Sequence, residues 1–233
     1  MSTSFIEEDD VLKGVPLKAL IFDYDETLVE SLKAFHYAFN VALSLAGALP
    51  LSHEDFFHLY VNDALESVIP PGIPHEKFWE YFLRAYENLK FKPVLRNGAV
   101  RVLRQLRDRG IKLALITGRK CSLKTFVREL EEIGIRRFFD FTATCLVYED
   151  RSFAFSKKLA IREAMTALNV GRREVALIGD YKTDMRSAKD LGILAIGICT
   201  AHAGPKVLSA WGADIVIEKL DDLIPCLERR ELL

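Results

Sequence analysis

Residues 19–27 read ALIFDYDET, an apolar run that ends in two closely spaced carboxylates. Ala19–Phe22 has the composition of a buried parallel strand. Asp23 and Asp25 are separated by a single residue, at positions i and i+2, so they lie on the same side of an extended chain, at the carboxyl end of that strand. Open α/β sheets bind their ligands at this end. One carboxylate can attack an electrophile, the other can transfer protons, and both attract divalent cations, although such residues also often cap a helix.

The composition is that of a globular protein without a strong excess of either charge. The 233 residues are 50% hydrophobic and 28% charged, and the formal net charge is −1. A chain of this length can bury a substantial core and fits one domain or a domain with an insertion. The balanced charge gives no indication of a nucleic acid partner. No uncharged apolar stretch is long enough to span a membrane.

The N-terminal segment and the cysteines indicate a compartment. Met1–Asp10 is polar and acidic, without the apolar segment of a secretory signal. Cys121, Cys145, Cys199 and Cys226 are widely scattered, with no CxxC spacing. We therefore expect free thiols and a cytoplasmic protein.

Six apolar runs separated by helical patterns predict a parallel sheet. The runs are Ala19–Phe22, Lys112–Thr117, Phe141–Val147, Val175–Gly179, Ile193–Cys199 and Ala213–Ile217. The clearest helical patterns between and after them are Ala99–Arg109, Ser156–Leu168 and Leu220–Arg229. Alternating strands and helices are typical of an α/β fold, in which helices cover both faces of a parallel sheet.

Residues 31–92 interrupt this alternation, because they show helical patterns only. Ser31 is a suitable N-cap for the first of three predicted helices. The segment holds 12 of the 24 aromatic residues of the chain. These can fill the core of a small helical bundle or line a substrate cavity. We predict an all-helical domain at residues 31–92, inserted into a core of residues 1–30 and 93–233.

Two further polar clusters occur at the ends of predicted strands. Thr117 and Gly118 end the second strand, where a hydroxyl and backbone N–H groups can bind a phosphate oxygen. Asp180 ends the fourth strand, and Asp184 follows four residues later. A turn with a helix N-cap explains one of these aspartates more easily than both, so the pair indicates a metal site.

A lysine completes the set of candidate residues. Lys157 lies early in the predicted helix Ser156–Leu168, where its ammonium group can neutralise a phosphate and a nucleophilic carboxylate. Lys158 is a rival for this role, and an ordinary surface lysine is the alternative interpretation of either residue.

The order of these clusters along nearly the whole chain resembles that of the haloacid dehalogenase superfamily. The matching residues are Asp23 and Asp25 in the first motif, Thr117 in the second, Lys157 in the third, and Asp180 with Asp184 in the fourth. Residues 97–118 and 212–217 are similar to the phosphoglycolate phosphatase-like branch. The resemblance implies a Rossmann-like parallel sheet core flanked by helices. In this branch a helical cap lies between the first and second motifs, where residues 31–92 lie here.

The resemblance implies a Mg²⁺-dependent hydrolase that acts on a small phosphorylated metabolite through an aspartyl-phosphate. The implied catalytic residues are Asp23, as the nucleophile, and Asp25, as the general acid and base. The implied metal ligands are the Asp23 carboxylate, the Asp25 backbone carbonyl and Asp180. Asp184 would support this set from outside it or through a water molecule.

The resemblance also implies a phosphoryl-binding set, and the chain departs from the family pattern at two positions. Thr117, the Gly118 N–H group and Lys157 would bind the phosphoryl oxygens. Lys157 is preferred to Lys158 because it keeps the family's spacing to the following helix and to Asp180. The family usually has glycine at the position of Glu26 and proline at the position of Lys158.

Other functions stay open at this point. A sugar phosphomutase with a similar cap uses the same nucleophile, and a catalytically silent binding protein is a third candidate. A dehalogenase typically lacks the second aspartate, and no GxGxxG follows the first strand to bind a nicotinamide cofactor. The substrate and the choice between monomer and homodimer are not determined by the motifs.

The position of residues 31–92 between the first and second motifs predicts that this segment acts as a lid. We expect its junctions, near Glu30–Ser31 and 91–93, to be hinges that admit substrate and then exclude water. His36 and Asn40 are candidate residues for substrate selection, although a structural role for His36 is the ordinary alternative.

Overall fold

The computed structural model describes residues 15–62, 64–89, 93–119, 121–145 and 157–233. Our predictions for Met1–Asp10, for 91–92 and 146–147, and for Ser156 lie outside the described residues. The chain divides into two compact units, of which one contains the residues up to Leu28 and from Leu95 onward, and the other runs from Val29 to Val94.

The described residues form eight strands, nine α-helices and several short 3-10 helices. The strands are β1 (Ala19–Asp23), β2 (Val29–Glu30), β3 (Val94–Leu95), β4 (Lys112–Thr117), β5 (Phe141–Thr144), β6 (Val175–Gly179), β7 (Leu194–Ile198) and β8 (Ile215–Ile217). The helices are α1 (Leu32–Leu45), α2 (His53–Val61), α3 (His75–Asn88), α4 (Ala99–Asp108), α5 (Leu123–Glu132), α6 (Lys158–Leu168), α7 (Lys182–Leu191), α8 (Pro205–Trp211) and α9 (Leu223–Glu228).

Six of the strands form one parallel sheet, which confirms the predicted α/β fold. Their order across the sheet is β5-β4-β1-β6-β7-β8, and all neighbours are parallel. The carboxyl ends of all six strands therefore lie along one edge of the sheet. β1 lies between β4 and β6, so the residues that follow these three strands are brought to adjacent positions.

Burial explains the continuous apolar runs. Every residue of β1 and β6 is buried, because helices cover both faces of the sheet. On one face, Ile21 and Leu177 pack with Ile161 of α6 and Ala188 of α7 in a single apolar cluster. Complete burial of an isoleucine or leucine side chain of this kind stabilises the folded state by roughly 1.5–3 kcal/mol.

The strand and helix limits differ from the predicted ones in several places. β5 ends at Thr144, so Cys145 lies beyond the strand, and α6 begins at Lys158, with Lys157 at its N-cap. The short strands β2 and β3 pair with each other and were not predicted, because two-residue strands give no periodic pattern. The described residues contain no helix long and apolar enough to cross a membrane.

The unit from Val29 to Val94 contains three helices around an aromatic core. Phe39, Phe56 and Phe78 are fully buried, and the ring centroids of Phe39 and Phe78 are 5.1 Å apart in an edge-to-face arrangement. Ser52 caps α2, because its hydroxyl accepts a hydrogen bond from Asp55 N at 3.0 Å. The aromatic residues thus fill a core. The role of this unit as a cap, and its boundaries at 31 and 92, stay predictions.

His36 and Asn40 have structural partners within this unit. Asn40 Nδ2 donates to Leu51 O at 2.9 Å, and Leu51 N donates to Asn40 Oδ1 at 2.8 Å. His36 Nε2 lies 3.0 Å from Leu51 O. The two side chains therefore attach α1 to the segment that precedes α2, and their selection of substrate stays a prediction.

Candidate active site

Three buried carboxylates converge at the carboxyl ends of β1 and β6. Oxygen atoms of Asp23, Asp180 and Asp184 all lie within 4.8 Å of one another. Asp23 ends β1 and Asp180 follows β6, whereas Asp184 lies in the first turn of α7. Gly179 allows this approach, because a Cβ atom at that position would lie 2.4 Å from Asp184 Cγ.

Lys157 and Thr27 connect the three carboxylates. Lys157 Nζ donates hydrogen bonds to Asp23 Oδ1 and, at 2.7 Å, to Asp184 Oδ1. Thr27 Oγ1 donates to Asp180 Oδ1 at 3.0 Å and lies 3.4 Å from Asp23 Oδ2. The side chain of Lys157 is only 4% exposed. Lys158 instead pairs at the surface with Asp190, so the geometry favours Lys157 over its rival.

Burial and mutual repulsion dominate the electrostatics of this cluster. Burial raises the pKa of Asp23 well above its usual value; Lys157 opposes this shift, and the charges of Asp184, Asp180 and Asp25 reinforce it. Burial likewise raises the pKa of Asp184. Burial lowers the pKa of Lys157, but the carboxylates of Asp184 and Asp23 outweigh it, so the net shift is upward and the ammonium group stays charged.

The donor set fits a divalent cation that prefers oxygen ligands. Three carboxylates held this close repel one another, and a cation among them would relieve that repulsion. From the sequence, Asp184 was expected outside the ligand set. In the structure one of its oxygens lies within 4.8 Å of carboxylate oxygens of Asp23 and Asp180, and its Oδ1 atom accepts a hydrogen bond from Lys157.

Asp25 lies beside the end of β4 and is held there by two residues. Thr117 Oγ1 donates to Asp25 Oδ2 at 3.2 Å. Arg119 Nη2 donates to Asp25 Oδ1 at 2.6 Å, and Arg119 Nε donates to Oδ2 at 2.9 Å. Gly118 lies between these two residues, in the irregular segment that follows β4. The predicted second cluster thus contacts the first one.

Several residues of the site carried no predicted role. Arg119 is adjacent to the Thr-Gly pair, and its position after a strand end was the available signal. Glu129 accepts hydrogen bonds from Arg119 Nη1 at 2.8 and 3.0 Å, yet in the sequence it is one of several charged residues on α5. His202 Nε2 lies 2.9 Å from Asp180 Oδ2, and His202 lies in a loop without a motif.

Comparison with known proteins identifies the family. The sequence model described as haloacid dehalogenase-like hydrolase matches residues 20–198. A relative named pyrophosphatase PpaX, from Listeria monocytogenes serotype 4a, is 26% identical over 221 residues, which cover 92% of this chain and 98% of the relative. A relative named phosphoglycolate phosphatase, from Chromobacterium violaceum, is 26% identical over 219 residues, covering 89% of this chain and 95% of the relative.

Solved structures share the fold at lower sequence identity. A predicted phosphatase from Clostridium acetobutylicum superposes with a TM-score of 0.76 at 18% identity, covering 92% of this chain and 99% of that one. A haloacid dehalogenase-like family hydrolase from Streptococcus pneumoniae gives a TM-score of 0.75 at 20% identity, covering 91% and 98%. Because the family's sequence model matches well over half of its length, this chain belongs to the haloacid dehalogenase-like hydrolases and is an enzyme, as the order of its motifs predicted.

Proposed function

We propose that this enzyme hydrolyses a small phosphomonoester in a Mg²⁺-dependent reaction through an aspartyl-phosphate on Asp23. The observation that carries the proposal is the buried Asp23 carboxylate, which is bonded to Lys157 and lies within 4.8 Å of two other carboxylates. Family membership and relatives named for phosphate hydrolysis support it.

Asp23 is the proposed nucleophile. Burial removes water from its carboxylate, and the contact with Lys157 orients one oxygen. The other oxygen attacks phosphorus, and the bond from phosphorus to the leaving oxygen breaks. A water molecule then attacks the phosphorus of the aspartyl-phosphate, which releases inorganic phosphate and restores the carboxylate.

Asp25 is the proposed general acid and base. In the first step it gives a proton to the leaving oxygen, and in the second it takes a proton from the attacking water. Thr117, the Gly118 N–H group and Lys157 are proposed to bind the phosphoryl oxygens. Donors at these positions would favour the charge distribution of the transition state.

The proposed Mg²⁺ ligands are the carboxylates of Asp23 and Asp180 and the backbone carbonyl of Asp25, with Asp184 beside them. The ion would neutralise charge on the phosphoryl group and among the carboxylates when it is bound. Thr27 and Lys157 hold the same carboxylates through the contacts described above, so the ligand positions are maintained by this chain's own side chains.

The names of the relatives and the predicted lid support a choice of substrates to test. Phosphoglycolate, a phosphomonoester, is the first candidate to test, because a relative is named for its hydrolysis. Pyrophosphate is tested beside it, because another relative is named pyrophosphatase. Pyrophosphate is a phosphoanhydride, so a clear preference for it would replace the monoester in this proposal. Residues 31–92 are proposed to form a cap that opens and closes at its two junctions and selects the phosphoester. A cytoplasmic location, the absence of nucleic acid and membrane partners, and a monomer or homodimer remain expectations.

A panel of phosphoesters tests this proposal. We expect release of inorganic phosphate with Mg²⁺, loss of turnover in excess chelator, recovery on return of Mg²⁺, and poor activity with Ca²⁺, whose looser coordination misplaces the nucleophile. Asp23→Asn should abolish turnover and keep the fold, whereas Asp190→Asn, at an exposed ion pair, should leave activity unchanged. Undiminished activity in chelator or in Asp23→Asn would refute the proposal.

Two outcomes would favour the alternatives. Transfer of phosphate between positions of a sugar, with little inorganic phosphate released, would identify a mutase. Complete inactivity on the panel, with Mg²⁺ present, would favour a binding protein on this scaffold.

A further inference from the structure

Arg119 joins two carboxylates beside the proposed active site. On one edge, its Nε and Nη2 atoms donate to Asp25 Oδ2 and Oδ1 at 2.9 and 2.6 Å. On the other, Nη1 donates to both oxygens of Glu129 at 2.8 and 3.0 Å. The side chain is only 14% exposed. Paired contacts of this kind fix the plane of the guanidinium group relative to each carboxylate.

Tyr24 supports the same arrangement. Its hydroxyl donates to Glu129 Oε1 at 2.6 Å, and Arg119 Cζ lies 4.9 Å from the centroid of its ring, within the range of a cation–π contact. The fully buried ring packs edge-to-face on Phe126 of α5, with centroids 5.0 Å apart. Arg119 is therefore restricted by Tyr24 and Asp25, which follow β1, and by Glu129 of α5.

The Thr117 hydroxyl must change partner during the proposed reaction. It has a single proton, which it donates to Asp25 Oδ2 in this structure. Under the proposed function, the same hydroxyl donates to a phosphoryl oxygen of the substrate. Asp25 then loses that hydrogen bond and keeps its paired contacts with Arg119, which maintain the orientation of its carboxylate.

We propose that Arg119 is a positioning residue for Asp25 and that Glu129 and Tyr24 hold Arg119 in place. The inference rests on the proposed function, in which Asp25 exchanges protons with the leaving group and with water. Arg119 faces two carboxylates with one positive charge, so its charge is already compensated. It therefore acts through Asp25 and not as an additional ligand of the anionic substrate.

Substrates with different leaving groups can distinguish a positioning role of Arg119 from a general structural role. An alkyl phosphate needs a proton on its leaving oxygen, whereas p-nitrophenyl phosphate has a leaving group that departs with little such help. We would measure kcat and KM for p-nitrophenyl phosphate and for the alkyl phosphate that the wild-type enzyme hydrolyses fastest. The variants are Arg119→Ala, Arg119→Lys, Glu129→Gln and Asp25→Asn, each checked by thermal unfolding.

We expect Arg119→Ala to lower kcat on the alkyl ester by about ten- to a hundred-fold, the effect of losing hydrogen bonds to a charged group. Turnover of p-nitrophenyl phosphate and the KM for both esters should change little. Arg119→Lys should recover part of the loss, and Glu129→Gln should show a smaller selective loss. Glu132→Gln is the matched control, because Glu132 is exposed on the same helix and pairs with Arg128.

The outcomes separate this inference from the proposed function. If the wild-type enzyme hydrolyses neither ester, the proposed function fails and the inference fails with it. If Asp25→Asn shows the selective loss and Arg119→Ala and Glu129→Gln do not, the inference alone fails. Faster alkyl turnover in Arg119→Ala or Glu129→Gln would also overturn it, because Arg119 would then restrain Asp25 in a resting position. Should Arg119→Ala not fold, Glu129→Gln and Arg119→Lys decide the question.

Discussion

Glu26 adopts a backbone conformation that residues with a side chain seldom take. Its φ is +55°, in the left-handed region that glycine occupies freely. The family usually has glycine at this position, directly after the pair Asp23 and Asp25. Glu26 therefore adopts, with local strain, a backbone conformation that a glycine at this position would adopt without strain.

A pair of substitutions at Glu26 isolates this strain. Glu26→Gly and Glu26→Ala remove the same contacts of the side chain. The difference between their free energies of unfolding therefore reports the cost of the backbone conformation. We expect the glycine variant to have a free energy of unfolding about 1 kcal/mol above that of the alanine variant. Urea denaturation measures the difference. Equal stabilities would mean that the left-handed conformation is without cost here.

His202 should influence metal binding through Asp180. Its Nε2 atom is 2.9 Å from Asp180 Oδ2, and both side chains are buried. Partners of metal ligands typically contribute about ten- to a hundred-fold to metal affinity. We expect His202→Phe to weaken Mg²⁺ binding by that factor in calorimetric titration, and His58→Phe, at an exposed position, to leave it unchanged. Unaltered affinity in His202→Phe would contradict this role.

At the scale of the element, the connection from β6 to α7 depends on Gly179. An added Cβ would lie 2.4 Å from Asp184 Cγ and 2.5 Å from its Oδ2. The carboxylate would have to shift away from the added Cβ, which would disturb its hydrogen bond from Lys157. The glycine that precedes Asp180 thus permits the three carboxylates to converge, in addition to ending the strand.

Gly179→Ala should therefore affect both stability and metal binding. We expect a loss of about 1–3 kcal/mol in the free energy of unfolding, as for other overpacked sites, and a smaller rise in melting temperature on addition of Mg²⁺. Gly72→Ala is the control, because no atom lies within 4 Å of a Cβ at that position. A wild-type response to Mg²⁺ in Gly179→Ala would show that Asp184 can relocate without loss of the site.

At the scale of the whole molecule, the two units have separate apolar cores. The aromatic cluster around Phe39 fills the unit from Val29 to Val94. The cluster around Leu177 lies between the sheet and its helices. Regions with separate cores can open independently, because local opening free energies follow local packing.

Hydrogen exchange can detect this independence. Phe39→Ala removes a fully buried ring, at a cost of about 3–5 kcal/mol. We expect faster amide exchange in α1, α2 and α3, with exchange in β1 and β6 unchanged. Leu177→Ala should have the opposite effect. Faster exchange everywhere in both variants would show that the molecule opens as one cooperative unit.

The alternation of apolar runs and helical patterns was sufficient to predict the architecture. β1, β4 and β6 lie where the sequence pattern predicts them, because a strand that is buried on both faces is a continuous apolar run in the sequence. The candidate residues Asp23, Thr117 and Asp180 follow from the same pattern, since carboxyl ends of parallel strands share one edge. Ends of elements were less certain, as β5 shows, because hydrogen bonding at a strand end leaves no periodic signal.

Only the tertiary structure decided which side chains meet. Asp25 and Arg119 are 94 positions apart, and Glu129 is one of several charged residues on α5. His202 reaches Asp180 from a loop without a motif. Local patterns determine burial and therefore the elements, whereas contacts between distant side chains depend on the order β5-β4-β1-β6-β7-β8 and on packing. Neither the strand order nor the packing can be inferred from any single segment of the chain.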